Sequence, residues 1–109
     1  MQDLQIELNK LRIDLNKAIT IIKERGKAKA IAERDYRVEL AKEILRLRAE
    51  GMPVTIISDA CRGNEKIAEL KMNRDIVETL YESNIQFIYS TKLNIDIVMK
   101  QIEAERKGE

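Results

Sequence analysis

The segment from 64 to 106 reads NEKIAELKMNRDIVETLYESNIQFIYSTKLNIDIVMKQIEAER, with neither proline nor glycine in it. As a helix rising ~1.5 Å per residue it spans roughly 60 Å. Ile67, Leu70, Val77, Tyr81, Asn84, Ile88, Thr91, Ile95, Val98 and Ile102 recur at a three-four spacing, and Arg74 falls on the same stripe. That period keeps one seam of a helix turned toward a partner helix along its whole length. The segment predicts a long helix, about 64–106, that needs a second helix beside it. Asn64 is placed as its N-cap, and Glu65 lies in the first turn, where negative charge suits the helix dipole. Arg106 and Lys107 suit the last turn, with Gly108 closing it.

Immediately before this helix, thirteen residues hold two glycines, the only proline and the only cysteine. Gly51 reads as the residue that stops a preceding helix in the left-handed conformation, and Pro53 cannot be carried inside that helix. Val54 to Cys61 fits a short strand by its β-branched start. It fits a short helix equally well, with Pro53 at the first helical position and Gly63 as terminator. An isolated strand has no partner in this chain, so a short helix or turn over 53–61 is preferred, packing across the two long helices.

Further back, Leu4, Leu8, Leu11, Leu15, Ala18 and Ile22 carry heptad spacing, while Ile6, Ile13, Ile19 and Ile21 widen the apolar surface. The pattern breaks around Gly26, where extension of the register puts Arg25 and Lys29 at apolar positions. Gly26 costs roughly 1 kcal/mol relative to alanine inside a helix. One helix of about 3–49, kinked near 26, and two helices meeting near Ala28 both fit; continuity is favoured because helix-forming composition resumes at once. Ile31, Val38 and Leu45, seven apart, are taken as its next buried stripe, broadened by Tyr36, Leu40, Ile44 and Leu47. Glu39 with Lys42, and Glu43 with Arg46, are charge neighbours on a solvated face, each pair worth ~0.2–0.5 kcal/mol.

Composition bounds what such helices do. The chain has 109 residues, 44% hydrophobic and 36% charged, with a net charge of +1. Residues 1–50 hold twelve basic and nine acidic groups, and residues 51–109 eight and ten, so neither half is a nucleic-acid tail by charge alone. No histidine and a single cysteine exclude an intramolecular disulfide and Cys/His zinc sites within one chain. No apolar run approaches the ~20 residues that span a bilayer. The start, Met1-Gln2-Asp3-Leu4, lacks the basic segment and apolar core of a signal peptide. A cytoplasmic protein without a membrane partner is expected.

Three groups of residues are candidates for function. Lys23, Arg25, Lys27 and Lys29, continued by Arg34 and Arg37, form a basic cluster able to meet phosphates, although no base-reading motif accompanies it. The usual alternative is a solvated helix face. Ser58, Asp59 and Arg62 in the turn form a possible partner-binding or anion-binding group, or else cap helix ends, with Asp59 and Arg62 paired. Arg74, Asn84 and Thr91 interrupt the seam, where polar residues fix register or oligomeric state; Arg74 is within reach of the Glu33–Asp35 region by snorkelling. Cys61 reads as a small buried hydrophobe. Acid pairs such as Asp75 with Glu78 and Glu78 with Glu82 share a face, but a carboxylate metal site in a bundle also wants Glu-x-x-His motifs. Neither catalytic residues nor a cofactor is expected.

The stretch Glu33-Arg34-Asp35-Tyr36-Arg37-Val38-Glu39-Leu40-Ala41-Lys42-Glu43-Ile44-Leu45-Arg46-Leu47-Arg48-Ala49-Glu50-Gly51-Met52-Pro53-Val54-Thr55 resembles a group of small helical proteins, uncharacterised in activity, encoded by bacteriophages and prophages of Gram-positive bacteria. The resemblance continues through Cys61-Arg62-Gly63, Ile67-Ala68-Glu69-Leu70-Lys71, Arg74-Asp75 and Leu80-Tyr81 into the final helix. It implies a phage protein acting in the host cytoplasm, alongside replication or recombination genes. It brings no active site with it.

Together these readings predict a single all-α domain over 1–109. Its architecture is a long antiparallel helical hairpin with a short connecting helix, pairing into a dimeric helical bundle through Ile6, Ile13, Ile95 and Ile102. The expected function is a non-enzymatic interaction or scaffolding protein that meets a protein partner through helical surfaces. Two alternatives are a nucleic-acid-associated accessory protein and a small virion assembly component.

Overall fold

The computed structural model describes residues 2–108 and contains three helices, α1 (Gln2–Ala49), α2 (Val54–Arg62) and α3 (Glu65–Gly108). There is no strand among the described residues. The segment 54–61 is therefore helical, and α1 remains helical through Gly26. The chain divides into two compact units, Arg25–Leu80 on one hand and Met1–Glu24 with Tyr81–Glu109 on the other.

In the unit Arg25–Leu80, α1 runs against α3 in the opposite sense. Arg74 meets Glu33, and the earlier Lys66 meets the later Glu39. Leu47, Ile57, Cys61 and Ile67 form the buried cluster, one or two residues from each helix, with Tyr36, Leu40, Ile44 and Met52 packed on it. In the other unit, Leu8 packs with Val98 and Ile102, supported by Leu4, Leu11 and Ile95. Here too the pairing is antiparallel, since Ala18 meets Asn84.

The caps explain why the helices stop where they do. Gly51 has φ +82°, its N–H donates to the Arg48 carbonyl and the Met52 N–H donates to the Leu47 carbonyl. These two bonds satisfy carbonyls that α1 leaves open, and they bring Met52 back onto the cluster around Leu47. Pro53 sits one place earlier than expected: it is the N-cap of α2, with Val54 as the first helical residue. Gly63 ends α2 by donating to the Asp59 carbonyl. Asn64 caps α3, its Oδ1 accepting from the Ile67 N–H at 3.1 Å. Gly108 falls within α3 rather than beyond it.

Every residue of the stripe from Ile67 to Ile102, Arg74 included, is buried or half-buried. The later half of α1 differs from its reading. Ile31, Val38 and Leu45 are exposed, the last at 65%, and the inward positions are Ala32, Tyr36, Leu40 and Leu47. The first heptad register runs on unbroken, through half-buried Arg25 and Lys29 to Ala32 and Tyr36. Long basic side chains hold a seam position by laying their methylene stems along it and sending the charge out. Two of the four residues expected at a dimer contact are engaged within the chain. Ile95 and Ile102 face Leu8 and Leu11 within the chain, whereas Ile6 and Ile13 are exposed.

Candidate functional site: an apolar groove with a basic rim

The feature that stands out lies in the unit Arg25–Leu80, where the three helices leave a groove of about 1160 Å³. Its construction follows from helical spacing. Tyr36, Leu40, Ile44 and Arg48 stand four apart on α1, one above the other on a single side. Met72, Ile76 and Leu80 stand four apart on α3. Ile57 and Cys61 of α2 close the floor between them, and Val54 and Ser58 lie at the edge. The floor residues are buried or half-buried, but Val54, Met72, Ile76 and Leu80 are 71%, 57%, 50% and 42% exposed.

Charge is distributed unevenly around this apolar surface. Arg48, Arg62 and Lys71 lie on the rim, with Asp75 as the one acid lining the groove. Asp75 is already engaged, its Oδ1 accepting from Arg74 Nε at 3.1 Å and Nη2 at 3.0 Å. Arg62 lies 3.7 Å from Asp59, both well exposed, so the pair expected in the turn is present but weakly held. Among the described residues, Arg48 and Lys71 have no carboxylate partner. Of the turn group, Ser58 and Arg62 face the groove and Asp59 does not line it.

Beside the groove, the seam carries its own polar machinery. The Arg74 guanidinium lies over the Tyr36 ring at 4.4 Å from the centroid and its Nε is 3.6 Å from Glu33 Oε2. Its pKa is raised further by its hydrogen bonds to Asp75, against an opposing effect of burial. Asn84 donates from Nδ2 to the Ala18 carbonyl at 3.0 Å, a bond made possible by the small side chain at position 18. Thr91, 4% exposed, turns its hydroxyl to the Phe87 carbonyl of its own helix at 2.7 Å. Thus Arg74 and Asn84 reach across the seam, and Thr91 does not.

The basic cluster is divided. Lys27, Arg34 and Arg37 share one side of α1 by helical spacing, whereas Arg25 and Lys29 lie at seam positions. Arg34 is bound by Asp35 at 3.0 Å, and Arg37 by Glu33 at 2.5 Å. Lys23 is exposed and belongs to the other unit. Further along, Arg46 is held by both Glu43 and Glu50, which raises its pKa; the hydrogen bond from Arg46 lowers that of Glu43.

Val54, Met72, Ile76 and Leu80 were not anticipated as a site. The signal was present in the four-residue spacing of 72, 76 and 80, but off the seam, where it competes with ordinary surface variation. Among the described residues there is no group of three or more metal-ligating side chains, and no helix is long and apolar enough to cross a membrane. No family model, curated protein or solved structure matches the chain.

Proposed function

We propose that this chain is a non-enzymatic interaction protein that binds a protein partner in the groove between α1, α2 and α3. The observation that carries this reading is the uncovered apolar surface of Val54, Met72, Ile76 and Leu80 above the cluster of Leu47, Ile57, Cys61 and Ile67. An apolar patch continuous with a core and bordered by charge is a recurrent mark of protein association. In the phage setting that the sequence resemblance implies, the partner is a host or phage protein of the cytoplasm. The nucleic-acid alternative loses support from the carboxylates already bound to Arg34 and Arg37.

The test compares the intact chain with Ile76→Asp, a change at a half-exposed helix position, both verified as helical by circular dichroism. Each is used as bait in nuclease-treated extract. A partner retained by the first and lost by the second supports the reading; an identical set of captured proteins refutes it. Light scattering with a mixed-sequence duplex, at low and moderate salt, measures the competing possibility. A salt-sensitive heavier complex would return weight to Lys23 and Lys27.

A further inference from the structure

We infer that the groove's occupant is an amphipathic helix of about three turns whose apolar stripe is flanked by carboxylates. The inference rests on the reading of the groove as a protein-binding site and names the chemistry of the partner.

Length comes first. The α3 side of the groove runs from Ala68 to Leu80, about 18 Å at ~1.5 Å per residue. Apolar rows four residues apart line the groove in succession, Leu40 and Ile44 of α1 toward its α2 end and Met72, Ile76 and Leu80 of α3 farther along, and each is the kind of ridge against which a third helix packs. A helix seated there covers the exposed halves of Met72, Ile76 and Leu80 without disturbing α2. Its anchors recur at three- and four-residue spacing, as in other helix-in-groove complexes.

Charge selects among helices. Arg48 and Lys71 lack partners among the described residues, Arg62 is weakly held, and the one lining acid is occupied by Arg74. A helix with glutamate or aspartate beside its apolar stripe gains at two or three rim positions, and one flanked by lysine is repelled there. The same argument disfavours a second copy of this chain docking through one exposed row of α1. Ile31, Val38 and Leu45 are bordered by Lys27 and Arg48, and by Arg34 and Lys42, which Asp35 and Glu39 engage, so the unpaired charges there are of the same sign as the rim.

The experiment uses the full chain and two fluorescein-labelled helical peptides of about four turns. They carry identical leucine stripes, one flanked by glutamate and the other by lysine. Fluorescence anisotropy is expected to show the glutamate peptide binding at least ~10-fold more tightly, a difference of ~1.4 kcal/mol. The Arg48→Glu, Lys71→Glu double variant is expected to invert that preference, and Ile76→Asp or Met72→Asp to abolish binding of both peptides. Equal affinity for the two peptides overturns the acidic assignment while leaving a protein-binding groove. Binding that survives both aspartate variants places the peptide elsewhere and overturns the site. No binding of either peptide, alongside loss of partner capture in Ile76→Asp, sinks the helical occupant and spares the groove; without that loss, both readings fall. Sedimentation equilibrium is run in parallel. A dimer that Ile76→Asp dissociates identifies a second copy as the occupant and overturns the proposal.

Discussion

Replacing Arg74 by alanine removes a charge from a seam otherwise filled mainly by apolar side chains, and three interactions go with it. The two hydrogen bonds to Asp75 contribute little to stability, since that carboxylate is half-exposed and water replaces the guanidinium. The approach to Glu33 at 3.6 Å is also weak, worth less than ~0.5 kcal/mol, because Glu33 keeps its contact with Arg37. The stacking on Tyr36 is the larger contribution, ~1 kcal/mol for an arginine side chain that is 21% exposed. Arg74→Ala is therefore expected to cost ~1–2 kcal/mol, once lost packing of the side-chain stem is added. The decisive measurement is a double-mutant cycle of Arg74→Ala with Tyr36→Leu, read by urea unfolding so that ionic strength stays fixed. A coupling of ~0.5–1 kcal/mol is expected, and it persists in ~1 M sodium chloride, where ion pairs are screened within ~3 Å. Strict additivity in low salt would refute the stacking argument altogether.

Other perturbations test separate parts of the account. Asn84→Ala breaks the bond to the Ala18 carbonyl and is expected to cost ~1 kcal/mol in urea titrations; Asn84→Leu recovers that stability in the apolar seam. Gly51→Ala meets no neighbouring atom but forces alanine to φ +82°, so a loss of ~1–2 kcal/mol is expected with the helical content unchanged. Glu43 has a folded-state pKa below its ordinary value, chiefly through its hydrogen bond from Arg46. Its contribution is present above the ordinary carboxylate range and is lost as pH falls through the lowered value. Helicity followed by circular dichroism from pH 6 down to about pH 2 should thus decline more steeply in the wild type than in Glu43→Gln.

The α3 seam could be read from sequence because its period survives its own exceptions. Arg74, Asn84 and Thr91 are polar, yet each keeps its place in the three-four order. The later half of α1 was harder for the opposite reason. A more hydrophobic row, Ile31, Val38 and Leu45, lies beside the true seam, which there passes through charges and a small alanine. Residue type pointed one way and phase the other, and phase prevailed because one continuous helix carries the register on. The turn was legible in its chemistry, with Gly51 and Asn64 acting as their residue types require. The groove was not. It depends on three segments meeting, and no single stretch of sequence shows which apolar residues the meeting leaves uncovered.

The caps between α1 and α3 also impose an order of assembly. Leu47 and Ile67 are about 20 residues apart along the chain, whereas Leu8 and Val98 are about 90 apart. By the logarithmic law of loop closure, bringing the distant pair together directly costs ~1.3 kcal/mol more than the near one. The inexpensive route is to close at the bend and lengthen the contact outward, so that each new turn of pairing is prepared by the one before it. On that route Leu47 belongs to the rate-limiting nucleus and Val98 to the late contacts. Weakening the first slows folding, and weakening the second hastens unfolding.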